Sequence, residues 1–182
     1  MPQPSHEFEH SEAWDDEMDE LENKLESMVV ATSDHRDEAI PQDLQRMLKV
    51  LRDQIRMDVV FVSQFADGQR KFVAVDTDPG HAIIKPGMSD PVEQSWCHHI
   101  AEGRVPQFIR NARPLIRNGK LPHTPLEIGT HLSVPVVMAD GNVYGTLCAF
   151  SLHVDEDKNE QDVRRLQNIA RLVSQRIGSG QK

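Results

Sequence analysis

A chain of 182 residues supplies one sizeable hydrophobic core and leaves little room for two domains. Its net charge of −9 is unevenly spread: residues 1–40 hold 13 carboxylates against only Lys24 and Arg36, so the body from Pro41 onward is near neutral and lacks the clustered cations that nucleic-acid binding requires. Two cysteines in no CxxC pair, no secretory segment near Met1 and no apolar run near the roughly 20 residues of a membrane-spanning helix predict a cytoplasmic protein with reduced thiols.

The acidic arm, residues 1–40, opens with a polar tail. Trp14, Met18, Leu21, Leu25 and Met28 then step by four and three, which predicts an amphipathic helix over about residues 12–31. Two heptads are marginal alone in water, so this seam must lean on its own domain or on the same helix of a second chain. The second option makes these five residues a candidate dimer interface.

A helix over residues 41–56 follows, with Leu44, Met47, Leu48, Leu51 and Ile55 on its core face and Asp43, Arg46, Lys49 and Arg52 on the other. Residues 59–65 and 71–76 read as a hairpin across Asp67-Gly68. Ser89-Asp90-Pro91 reads as a helix start, capped by Asp90 or Ser89 with Glu93 reaching back. That helix presents Val92, Trp96, His99 and Ile100 and stops at Gly103. Residues 107–111 suggest a short strand and 113–126 a basic loop. Residues 130–138 and 143–153 carry the strongest strand signals, adjacent and antiparallel across a turn at residues 139–142. A final helix over 159–177 buries Val163, Leu166, Ile169, Ala170, Val173 and Ile177, and residues 179–182 form a tail. In the first of the two strong strands, alternation puts Leu132, Val134 and Val136 on one side and His131, Ser133 and Pro135 on the other.

Residues 128–151, IGTHLSVPVVMADGNVYGTLCAFS, resemble the central strand-turn-strand of GAF domains: a Val-Pro strand, an acidic-Gly turn, then Gly-Thr-Leu-Cys. Residues 90–113, DPVEQSWCHHIAEGRVPQFIRNAR, are similar to the helix-to-strand portion of bacterial GAF sensors. The resemblance spans residues 40–178. It implies an α/β (α+β), PAS-related fold with a central antiparallel sheet, helices on one face and a small-molecule pocket on the other. Trp96, Cys97, His99, Phe108, Asn111, His131 and Ser133 are the expected ligand-binding residues.

No catalytic residue or resident metal is assigned, and the cofactor stays unnamed. Cys97-His98 raises bilin attachment, but the aromatic residues and Asp-Ile-Pro segment of bilin-binding relatives are absent. Haem or zinc through His98, His99, His123 or His131 lacks a motif of ligand spacing, and adjacent His98 and His99 point about 100° apart on a helix. The cyclic-nucleotide signature of the family is only echoed by Asn159, Glu160 and Asp162. Methionine sulfoxide reduction, known among free-standing GAF proteins, needs a nucleophilic thiolate and a resolving thiol; Cys97 and Cys148 are the two available, and the usual third cysteine is missing from residues 113–127. The reading is therefore a stand-alone, non-enzymatic sensor that binds a small molecule and signals through helix-mediated homodimerisation or a partner protein. The alternatives are a protein-interaction adaptor whose acidic helix docks on a basic partner, and a thiol-dependent reductase.

Overall fold

The computed structural model describes residues 16, 19–27, 40–81 and 83–180. In chain order its elements are helix α1 (residues 19–27), α2 (Ile40–Ile55), strands β1 (Val59–Ala66), β2 (Gln69–Thr77) and β3 (Ser89–Pro91), α3 (Trp96–Ala101), β4 (Phe108–Ile109), α4 (Arg113–Arg117), β5 (Thr130–Val137), β6 (Val143–Ser151) and α5 (Glu160–Ser179). The strands form one antiparallel sheet in the order β3-β2-β1-β6-β5-β4. β5 and β6 adjoin as their sequences require, with Leu132 opposite Ala149 and Val134 opposite Leu147.

One face of this sheet carries the long helices. Val60, Val62, Leu132, Val134, Val136, Leu147 and Ala149 pack under the stripes of α2 and α5. α5 starts where its sequence directs: the Asn159 side chain accepts from the Gln161 N–H, and the Asp162 carboxylate accepts from the Asn159 N–H at 3.0 Å. Leu21 and Leu25 of α1 lie in the same core, 3% and 0% exposed within a single chain. These two are thus spent on their own domain and not left for a second copy, because the α2–α5 layer already offers the apolar surface that a short helix needs. Trp14, Met18 and Met28 lie outside the described residues.

Two expectations about polar residues are corrected here. Asp43 is not on the solvent face of α2: it is buried and accepts from Nε of the fully buried Arg176 at 2.9 Å, clamping α2 to α5. Residues 89–91 are not a helix start, since they pair as β3 with β2 and the Val92 N–H donates to the Gly68 carbonyl. The cap of α3 is Ser95 instead, whose hydroxyl accepts from the His98 N–H at 3.2 Å. Gly103, at φ +72°, closes that helix as predicted. The basic stretch after Asn111 folds its start into α4.

No helix of the described residues is long and apolar enough to cross a membrane.

Candidate functional site

The sheet's second face is built by the residues that alternate with the helix-facing set. β1 turns Val59, Phe61 and Ser63 to this side, β5 turns His131 and Ser133, and β6 turns Thr146, Cys148 and Phe150. The segment between β3 and β5 closes over them with Trp96, Cys97, Ile100, Ala112, Leu121 and Ile128. Where a ligand pocket was expected, side chains are packed, and a polar island sits in their midst. Ser63, Cys97, Ser133, Thr146 and Cys148 are each 0% exposed and His131 is 2% exposed.

The island is a connected hydrogen-bond network. Ser63 Oγ and Thr146 Oγ1 lie 2.9 Å apart, Ser133 Oγ is 2.8 Å from Cys148 Sγ, and the Cys148 thiol reaches Thr146 Oγ1 at 3.3 Å. Cys148 Sγ is 3.0 Å from Cys97 Sγ, and the two remain free thiols. Gly145 lets β6 lie close against β1 beside this network, because a Cβ there would overlap the Ser63 carbonyl. The Arg70 guanidinium donates from Nη1 to Cys97 Sγ at 3.3 Å and from Nε to Asp90 Oδ1 at 2.8 Å, while its Nη2 meets Asp90 Oδ2. It also lies over the Phe72 ring, 4.7 Å from the centroid.

These contacts split the two thiols. Burial alone raises the pKa of Cys97, but the Cys148 hydrogen bond, the Arg70 charge and His131 outweigh it and hold that thiol well below its ordinary range. Cys148 moves the opposite way, pushed up by burial and by its bond to Cys97. The surroundings thus drive the two sulfurs apart in pKa, Cys97 toward the anion and Cys148 toward the neutral thiol. His131 completes the group: its ring meets Trp96 edge-on at 5.3 Å, and its Nδ1 is buried without a hydrogen-bond partner. The ligating atoms of Cys97, His131 and Cys148 all lie within 4.8 Å of one another, so these three are also the described residues best grouped to hold a metal ion together. A second such group, Asp58, Asp78 and His81, is half-exposed, and Asp58 already accepts from the Leu152 N–H at 2.8 Å.

Of the residues singled out from sequence, Trp96, Cys97, His131 and Ser133 meet in this site. Trp96 is fixed there by Nε1 donating to the Pro122 carbonyl at 2.8 Å. Phe108 does not belong: β4 turns it to the helix core and turns Ile109 to the site, so the two-residue strand has the opposite parity to the one expected. Asn111 is exposed and accepts from the Arg113 N–H at the start of α4. His99 lies half-exposed beside His98, and burial, then Arg104 and His98, hold its pKa low. His98 faces Glu102 and Phe65, and His123 is exposed, so the four histidines considered as metal ligands are not gathered. The reading missed Arg70, Ser63 and Thr146 and weighed Cys148 only as a reductase thiol. Alternation carried from β5 to β1 and β6 would have reached the last three.

A family model described as GAF domain matches residues 39–177. Among solved structures, the GAF domain of a phosphoenolpyruvate-protein phosphotransferase from Coxiella burnetii superposes with a TM-score of 0.71 at 16% identity, covering 90% of this chain and 94% of that one. The phycoerythrobilin-bound GAF domain of a cyanobacterial phytochrome gives 0.63 at 12% identity, covering 90% and 96%. Free methionine-R-sulfoxide reductase from Neisseria meningitidis, in complex with its substrate, gives 0.66 at 14% identity, covering 86% and 87%. A comparison with curated proteins finds no significant match. At such identities the likeness is one of fold, shared by a domain of a phosphotransferase, a phycoerythrobilin-bound domain and a sulfoxide reductase.

Proposed function

The chain belongs to the GAF domain family of sensory domains, and we propose that its sensory input is the polar island under α3, with output passing through the helical layer on the opposite face of the sheet. One observation carries this: six buried polar or thiol side chains lie together where apolar residues would pack at less cost. A folding core has no use for a buried, unpartnered His131 Nδ1 or for a guanidinium drawn in against a thiol. A site that takes a small molecule does.

β5 links input to output, since His131 and Ser133 face the site while Leu132, Val134 and Val136 face the helical layer, where β5 packs against α5. A change that shifts this strand is felt by the helices, whose outer surfaces then meet a second copy or a partner protein in the cytoplasm. Switching requires that the small molecule favour one of two arrangements. The site contains a thiol pair, but the domain acts in this reading as a receptor and not as a turnover enzyme.

Native mass spectrometry of the freshly purified full chain tests the reading, before and after exposure to the small-molecule fraction of a cell extract. The expected result is a mass change, bound or covalent, together with a shift in oligomeric state, and loss of both in His131→Phe with Ser133→Val. An unchanged mass and an unchanged oligomeric state throughout would sink it.

A further inference from the structure

The two sulfurs are 3.0 Å apart. That is about 1 Å beyond a disulfide bond. It is also well inside the ~3.8 Å that two thiolates keep when both bind one tetrahedral zinc at about 2.3 Å. The separation therefore suits bond formation between the sulfurs better than a shared metal. Arg70 adds to this. Its cation already sits against Cys97, where it favours sulfur as an anion. Its side chain is 13% exposed and its partner Asp90 39%, so the Arg70–Asp90 pair runs from the thiol toward solvent. Arg70 and Asp90 form the polar, solvent-facing side of the thiol, whereas Trp96 and Leu121 close the apolar side.

We propose that Cys97 and Cys148 are an oxidisable pair whose input molecule is a small hydroperoxide. This rests on the sensory reading above and names the chemical class that the site takes. In the first step the Cys97 thiolate attacks one peroxide oxygen: the S–O bond forms, the O–O bond breaks, and the departing oxygen takes the Cys148 proton and leaves as water or alcohol. In the second step the Cys148 thiolate attacks Cys97 Sγ. The S–S bond forms, the S–O bond breaks, and hydroxide leaves as water with one proton from solvent. The protein gives up two electrons and the hydroperoxide gains them. Arg70 acts by holding Cys97 as the attacking anion, and Ser133 and Thr146 hold Cys148 in line behind it.

The test uses the reduced full chain with hydrogen peroxide in small excess, read by intact mass after thiol alkylation and by peptide mapping. The expected product is one intramolecular Cys97–Cys148 link. Cys148→Ser is expected to stop at a Cys97 sulfenic acid that dimedone traps, and Cys97→Ser to leave Cys148 as a thiol. Arg70→Met should slow the reaction by about tenfold, with Arg70→Lys recovering much of the rate because it keeps the charge. Arg70→Lys also controls for misfolding, since both variants lose the Asp90 fork.

Equal rates for wild type and Arg70→Met, oxidation of both thiols without a link, or stoichiometric metal in the purified protein would each overturn the proposal. Hydrogen exchange in α2 and α5, compared between the reduced and linked forms, separates this chemistry from the sensory reading. A link that leaves those helices unchanged defeats the sensor and spares the chemistry; helices that respond to another small molecule in protein that forms no link do the reverse.

Discussion

The two faces of this sheet are made from alternating residues of the same strands, yet they have opposite characters. The helix face is aliphatic from Val60 to Ala149, and the buried ion pair Asp43–Arg176 joins α2 to α5. The other face mixes three phenylalanines with hydroxyls, thiols and an imidazole at its centre. Burial of apolar area explains the first face completely. It does not explain the second, where every polar atom has been withdrawn from water at a cost that only partners or a task can offset.

If that contrast is right, the largest effects belong to the helix face. Asp43→Ala leaves the Arg176 charge buried and unpaired, and should lose about 3–5 kcal/mol in urea unfolding, whereas Asp43→Leu combined with Arg176→Met should recover most of it. Next come two neighbours on β6 that point to opposite faces. Leu147→Ala should cost about 2–5 kcal/mol by the cavity it leaves. Cys148→Ala should cost about 1 kcal/mol, because a small thiol and its weak hydrogen bonds are all that is removed. Equal losses at the two positions would erase the distinction between the faces.

Gly145→Ala sharpens the comparison from the backbone side. It drives a methyl group into the Ser63 carbonyl, and about 1–3 kcal/mol is the expected loss, with the β1–β6 pairing beside the thiols loosened in hydrogen exchange.

A pH series probes the thiol face alone. A Cys97 pKa held below its unfolded value, about 8.5, gives a stabilisation that is complete above that pH and is lost as pH falls through the folded pKa. Measured from pH 8.5 downward, where Cys148 stays protonated, the stability advantage of wild type over Cys97→Ser should therefore shrink on acidification. An advantage independent of pH would mean that Cys97 is held as a neutral thiol. The smallest effect is that of Trp96→Phe, which keeps a ring against His131, removes the hydrogen bond to the Pro122 carbonyl and should cost about 1 kcal/mol in urea unfolding.

How much of this was legible from residues follows the same division. The helix face was readable apart from Asp43 and Phe108: the stripes on α2 and α5, the β5–β6 hairpin and the sorting of Leu132, Val134 and Val136 from His131 and Ser133 all follow from period, and period is a local property. Half of the thiol site was readable in the same way. Phe108 and Ile109 exchanged roles because a strand of two residues carries no period by which to fix its parity. Asp90 was misread because Ser-Asp-Pro suits a helix cap and a strand beside a turn alike. Only pairing with Gln69–Lys71 chose the strand.

Arg70 was hidden for a more specific reason. The β1–β2 register shifts between Val62 and Ser63, leaving Val73 as an extra residue in β2, so Phe72 and Val75 face the same side although three residues apart. Counting back from Val75 by twos would have put Arg70 under the helices. The bulge turns it instead toward Cys97 and Asp90.

What the sequence by itself determined was therefore the sheet, its helical layer and the fact that one face would be mixed, because hydrophobic period, caps and turn residues act over a few positions. The tertiary structure alone decided that Cys97 and Cys148, 51 positions apart, would lie sulfur to sulfur with Arg70 beside them. Strand register, a bulge and the docking of α3 set that distance, and each depends on long-range pairing that no local pattern of residues encodes.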